Sequence, residues 1–194
     1  MHKILLALIC CWGIAICHAE GWSVDSAKLT GSARFQVGVT TGYDPEYRVI
    51  VYPNGDVPKE TGVCSDVVIR ALRVQKIDLQ KEIHEDMLRS FTKYPSNWGL
   101  SHPDTNIDHR RVPNLMTFFK RKGFELPIST KAEDYQPGDI VAWNLWGSIT
   151  HIGIVSDKKD AKGVPLVIHN IGRGAQEEDA LFQFKIIGHY RIKS

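Results

Sequence analysis

The chain has 194 residues, with 24 lysines and arginines against 22 acidic residues and a formal net charge of +2. No basic tract or charged tail breaks that balance, which argues against nucleic acid or a membrane surface as the main partner. There are no internal repeats and no low-complexity segments.

The first residues, MHKILLALICCWGIAICHAE, have the layout of a secretory signal peptide. His2 and Lys3 form a short basic start, Ile4 to Ile16 is an uncharged apolar run, and Cys17-His18-Ala19 offers small residues where a signal peptidase reads. The run is too short for a membrane anchor, which needs roughly 20 apolar residues. Neither Ile9 before Cys10 nor Ile16 before Cys17 is the small residue of a lipid-attachment site. Residues 1–19 are therefore expected to be removed after Ala19. Residues 20–194 are expected to form a single periplasmic or secreted domain, monomeric and without stable membrane insertion. That length can bury a core without disulfides. Cleavage removes Cys10, Cys11 and Cys17 and leaves Cys64 as an unpaired thiol in an oxidising compartment. A buried structural cysteine and a reactive one both remain open on composition alone.

Residues 25–38 suit a modest helix with Asp25 or Ser26 as cap and Gly38 at its end. TTGYDPEYRVIVYPNGDVPKETG follows, rich in turn formers, with YRVIVY as a short extended piece. From Cys64 to about Val74 the apolar residues Val67, Val68, Ala71, Leu72 and Val74 line a helix face. DLQKEIHEDMLRSFTKY is an amphipathic helix on Leu79, Ile83, Met87, Leu88 and Phe91, and its His84 reads as a surface or packing residue. Residues 95–112 show no period and read as a long irregular loop, a kind of segment that is often functional. Pro113 suits the first turn of a further helix, PNLMTFFKRKG, which Gly123 ends. The last third holds four strand-like runs, DIVAW, HIGIVS, PLVIHN and FKIIGHYRI. Helices first and strands later predict an α+β fold with an antiparallel sheet.

Three residues could meet in this fold. Cys64 at a helix start faces free N–H groups and the positive end of the dipole, which predicts a thiol pKa below the reference of about 8.5. His151 begins one strand and His169 ends the next. If the two strands are antiparallel neighbours, both imidazoles lie at one edge of the sheet. His151 would then pair with the thiol, and His169 would fix its tautomer.

These residues also carry a resemblance. QPGDIVAWNLWGSITHIGIVSD resembles the PGD-strand-loop-HxGIY segment of NlpC-type papain-like cell-wall peptidases. VIH resembles the strand that supplies their third polar residue, and TGVCSDVVIRAL resembles their nucleophile turn and helix. YPNGDVP, GVCSDVVIRALR, HEDM and NIDHRRVPNL together resemble an uncharacterised exported branch, the domain-of-unknown-function family twelve-eighty-seven. The resemblance implies a papain-like NlpC-type fold with an N-terminal nucleophile helix. It implies Cys64 as nucleophile, His151 as general base, His169 as its orienting partner, and Tyr52 as a tyrosine supporting an oxyanion hole. The implied substrate is peptidoglycan or a muropeptide, cut at an amide bond by a stem-peptide endopeptidase or an amidase. No metal or cofactor is implied. Val63 stands where the family carries an aspartate before the cysteine, so substrate preference does not transfer.

In the long loop, Asp108, His109, Arg110 and Arg111 form a charged cluster. It suits an arginine fork for a substrate carboxylate and an ion-paired loop anchor equally. Trp98, Trp143 and Trp146 could line a cleft, although Trp143, on its strand, better suits the core. Three rival readings are a thiol redox protein, a cell-wall binding module without turnover, and a metal site on Cys64, His151 and His169. The lack of a resolving cysteine, the complete Cys-His-His set and the lack of metal-type spacing argue against them in turn.

Overall fold

A computed structural model describes residues 22–193. The expected signal peptide, residues 1–19, lies outside the described residues. The four helices are α1 (Ser26–Arg34), α2 (Cys64–Arg73), α3 (Leu79–Ser90) and α4 (Val112–Arg121). The strands are β1 (Ile140–Asn144), β2 (Thr150–Lys159), β3 (Pro165–Asn170), β4 (Ala175–Glu178) and β5 (Lys185–Tyr190). They form an antiparallel sheet in the order β4-β3-β2-β1-β5. The fold is α+β, with the helices on one face of the sheet.

Strand alternation divides the core. Ile140, Ala142, Ile152, Ile154 and Ile168 join the helices through Leu29, Val68, Leu72, Ile83, Leu115 and Phe119. Val141, Trp143, Val155 and Val167 face the other way, under Tyr135, Ala180 and Leu181. Trp143 is fully buried, and its indole N–H donates to the Leu181 carbonyl at 2.9 Å. Gly153 on β2 is a packing requirement: a Cβ there would come within 2.9 Å of Val167 Cγ1 and 3.0 Å of the His169 Cβ.

Each helix start has an identifiable device. Asp25 Oδ1 accepts from the N–H groups of Ala27 and Lys28, and the Asp78 carboxylate accepts from Gln80 N–H. Pro113 occupies the first turn of α4. At α2 the cap residue is Val63, which offers no side-chain acceptor, so only the reverse half of a capping box operates: Asp66 Oδ2 accepts from Val63 N–H at 2.7 Å. Gly62 permits this approach, because a Cβ there would stand 2.9 Å from Asp66 Oδ2.

The second carboxylate contact comes from the long loop. Arg110 Nε and Nη2 donate to the two oxygens of Asp66 at 3.0 and 2.9 Å, and both side chains are buried. Arg110 also donates to the carbonyls of Glu46 and Asp44, each at 3.3 Å, while its own carbonyl accepts from Ser65 Oγ at 2.7 Å. One residue thus joins the 3₁₀ turn Asp108–Arg110, the start of α2 and the segment before it.

Segment 39–63 is ordered by side chains rather than by strands. Arg70 donates to Asp56 and to the carbonyls of Val57, Pro58 and Thr61. Asn170 Nδ2 donates to the carbonyls of Gly42 and Gly62, both at 3.1 Å. The extended piece expected at YRVIVY joins no sheet. Ile50 N–H donates to Asn106 Oδ1 and Val51 carbonyl accepts from Gln80 Nε2, which leaves Val49 84% exposed.

Replacing Arg110 by methionine would leave the Asp66 carboxylate buried and half-partnered. The expected loss is about 3–5 kcal/mol, read from the urea midpoint. Asp66→Asn in the same chain should recover part of it, and an unchanged midpoint in Arg110→Met would contradict the account.

Candidate active site

Cys64 is the first residue of α2, and its side chain is 4% exposed. It forms part of the wall of a cleft of about 220 Å³ with Tyr43, Val63, Trp98, Arg111 and Thr150. The backbone N–H groups of Ile152, Ser65 and Cys64 itself lie close to the sulfur. They favour a thiolate, as a helix start does. Burial outweighs them and pushes the thiol up to about 11. The depressed thiol pKa expected from the helix start alone is therefore corrected: the dipole is present, but the sulfur has lost its water.

His151 and His169 meet. β2 and β3 are antiparallel partners, and His151 Nε2 lies 2.8 Å from His169 Nδ1, with the rings edge to face at 5.0 Å. They are 3% and 2% exposed. His169 Nε2 lies 3.0 Å from Glu178 Oε1 on β4. This chain of contacts assigns the protons. A carboxylate only accepts, so His169 carries hydrogen on Nε2 and leaves Nδ1 as an acceptor. His151 must then donate from Nε2, and its free lone pair is on Nδ1. Burial holds His151 down at about 3, and the neighbouring His169 adds to the effect. Burial also lowers His169, against the opposing pull of Glu178.

Among the described residues, no hydrogen bond joins the thiol to either ring. Of the groups that favour the thiolate, the backbone N–H of Ile152, the residue that follows His151, has the largest influence. With the thiol raised and the imidazoles lowered, the thiol and the imidazole pair are each neutral at rest, and the His151 ring packs on Trp143 with centroids 5.8 Å apart. No group of three or more His, Cys, Asp or Glu side chains among the described residues is arranged to hold a metal ion.

The remaining expected site residues divide. Arg111 and Trp98 reach the cleft, where the guanidinium carbon stacks 4.0 Å from the indole centroid. Arg111 also donates to Asp108 Oδ1 at 2.9 Å, and burial raises the Asp108 pKa. Asp108 Oδ2 accepts from Asp104 N–H at 2.6 Å, so its carboxylate anchors the loop. Arg110 touches the cleft but spends its donors on Asp66 and the backbone, and a substrate fork from Arg110 is corrected to a loop anchor. His109 is buried outside the cleft lining with Nδ1 unpartnered, and burial, with help from Arg110, lowers it to about 3. Tyr52 is also corrected. It is 39% exposed and packs edge to face on His84 at 5.2 Å, outside the cleft lining.

Tyr43 occupies the cleft instead. Tyr43 is 41% exposed, and partial desolvation of its phenol, with the neighbouring Cys64 and Asp66, pushes its pKa up to about 12, so it remains a hydrogen-bond donor at neutral pH. The sequence reading missed Tyr43 and Glu178. Tyr43 sits in a turn-rich stretch beside a second tyrosine motif, and Glu178 sits in the polar run AQEE, which has no strand signal.

The chain belongs to the family described as Domain of unknown function (DUF1287), whose profile matches residues 30–192. A relative from Escherichia coli (strain K12), described as the uncharacterised protein YijF, is 59% identical over 163 residues, covering 84% of this chain and 80% of the relative. A crystal structure from Staphylococcus aureus subsp. aureus Mu50, described as similar to a lipoprotein of the NLP/P60 family, aligns with 91% of this chain at 13% identity and a TM-score of 0.43. The chain spans 45% of that protein's length. Among the described residues, no helix is long and apolar enough to cross a membrane.

Two outcomes follow from the burial of these groups. A thiol raised from 9.0 to about 11 has about 100-fold less thiolate at neutral pH, so iodoacetamide should label Cys64 about 100-fold more slowly than an unperturbed thiol. A rate equal to that of free cysteine would contradict the burial. His151 and His109, neutral in the fold down to about 3, are protonated near 6.5 when unfolded. Between those values the unfolded chain binds more protons, so stability falls as pH falls. Each should cost about 2 kcal/mol between pH 7 and pH 5, seen as a lower Tm at pH 5 in calorimetry. A Tm constant over that range would contradict the neutral, buried assignment.

Proposed function

We propose that this chain is an exported cysteine hydrolase that cuts an amide bond of peptidoglycan, in the stem peptide or where the peptide joins the sugar. The observation that carries this reading is the 2.8 Å contact between His151 and His169, backed by Glu178; neither ring lines the cleft of the helix-start cysteine, but Thr150, the residue before His151, does. The motif order from Cys64 through His151 to His169 resembles the NlpC-type papain-like peptidases, and the family has no assigned function of its own. Export rests on the signal-peptide pattern of residues 1–19.

Substrate entering the cleft displaces water and draws the thiol and the His151 Nδ1 lone pair together; such contacts are often long in the empty site. The sulfur attacks the amide carbonyl carbon as Nδ1 takes the thiol proton. A preformed ion pair is not required. The oxyanion forms near the first-turn N–H groups of α2, with the Tyr43 hydroxyl as a second donor. The imidazolium then gives its proton to the amine nitrogen, the C–N bond breaks, and an acyl-thioester remains. Water attacks that carbonyl, gives a proton to His151, and the acid leaves as the thiol is reprotonated. His169 and Glu178 hold His151 in the tautomer that keeps Nδ1 free throughout. Among the described residues Cys64 is the only cysteine, so no second thiol stands ready to resolve an oxidised one, which disfavours the redox reading.

Mature protein incubated with muropeptides should release fragments seen by mass spectrometry. Cys64→Ala should release none, and His151→Ala should be slower by about 10²–10⁴-fold. Identical profiles from the unaltered protein and Cys64→Ala, or no fragment from either across glycan-linked and free peptides, would remove the reading.

A further inference from the structure

Arg110 and Arg111 both line the cleft of Cys64, but their donors are used differently. The Nε and Nη2 hydrogens of a guanidinium lie parallel along one edge and match the two oxygens of a carboxylate. Arg70, Arg110, Arg121 and Arg191 each set that edge on a single aspartate, at 2.6–3.2 Å.

Arg111 leaves the same edge empty. Its Nη1 donates to Asp108 Oδ1 at 2.9 Å, and its guanidinium carbon stacks 4.0 Å from the Trp98 centroid. On a planar guanidinium the Nε–Nη2 edge lies opposite Nη1. Asp108 borders a neighbouring cavity and not the cleft of Cys64, whereas Arg111 borders both. The edge turned away from Asp108 is therefore the part of Arg111 available to the cleft. Among the described residues, Nε and Nη2 of Arg111 have no hydrogen-bond partner, and neither is sealed from solvent. The side chain keeps 17% of its surface. A fork stands open in the wall, with one end fixed by Asp108 and one face covered by an indole.

The rest of the lining constrains what that fork takes. No aspartate or glutamate lines the cleft: Val63 is apolar, and Asp66 is turned to Arg110. Asp108 already balances the charge of Arg111, so the free edge offers direction more than net charge. A carboxylate satisfies both N–H groups at once. A carboxamide brings one oxygen and sets its own NH₂ against the second donor.

We propose that Arg111 is the specificity residue of the cleft, and that its free edge takes a carboxylate which the substrate carries close to the scissile amide. This rests on the amide-hydrolase reading and narrows it to acidic peptides. A chain end and an internal acidic residue both supply a carboxylate, and the test separates the two.

Binding is read apart from turnover. Mature Cys64→Ala protein is titrated in a calorimeter with a lysine-containing stem tetrapeptide in four forms: both carboxylates free, the internal one as carboxamide, the terminal one as carboxamide, and both as carboxamides. The free form should bind at least about tenfold more tightly than the doubly amidated one. The single amidation that reproduces the loss names the carboxylate held. Arg111→Gln in the same background, with its Tm showing that it is folded, should abolish the difference. Equal binding of the free and doubly amidated forms, a preference that survives Arg111→Gln, or no binding of any form would each overturn the proposal. The first comparison needs no change at Arg111, so it decides even where that variant does not fold. The two readings fail separately. If the free form binds with an Arg111-dependent preference and unaltered protein never cuts it, hydrolysis fails and the carboxylate site stands. If unaltered protein cuts the free and amidated forms alike, hydrolysis stands and the carboxylate site falls.

Discussion

The Asp66–Arg110 pair is the contact on which the site's geometry depends. Two charges have been taken out of water, a step that costs several kcal/mol per ion, and a bidentate geometry with further backbone donors and acceptors offsets it. The result is positional. The same carboxylate caps α2 at Val63, the residue before Cys64, and the same arginine holds the chain that carries Tyr43 and the loop that carries Arg111. An aspartate before the cysteine, as in the resembled peptidases, is replaced by Val63. Asp66, two residues after the cysteine, caps the helix and does not line the cleft.

Burial also sets the chemistry. The N–H groups around Cys64 would make a reactive thiolate in water, and the imidazole pair would be partly charged there. Enclosed by Ile152, Trp143 and the two β-strands, both groups lose hydration that these partners do not replace. Under the proposed hydrolysis, charge separation is left to the moment when a reacting carbonyl shares the cost. The order of acceptors from Glu178 to His151 fixes where the proton sits before that moment.

Much of this was legible in the sequence. The spacing of Val67, Val68, Ala71 and Leu72 set α2, and the β-branched runs marked β1, β2, β3 and β5. The turn between HIGIVS and PLVIHN was enough to bring His151 and His169 to one edge. What was not legible depends on distant partners. AQEE forms β4 because β3 offers it an edge and because Glu177 and Glu178 find Arg34 and His169, not because its residues favour strands. YRVIVY has the pattern of a strand but no neighbour, and side chains of Gln80 and Asn106 take its backbone. The fate of the Asp108–Arg111 cluster turned on Asp66, 44 residues from Arg110. A local reading weighs charge type and cannot weigh that partner. The same limit hid the thiol's desolvation, which the whole sheet imposes.

Glu178 is partly exposed while the two imidazoles before it are sealed. The chain of contacts that starts at His151 therefore ends on a carboxylate that meets solvent, away from the residues lining the cleft. The imidazole pair is thus tied to the surroundings by an edge strand, β4, whose Glu178 contacts His169.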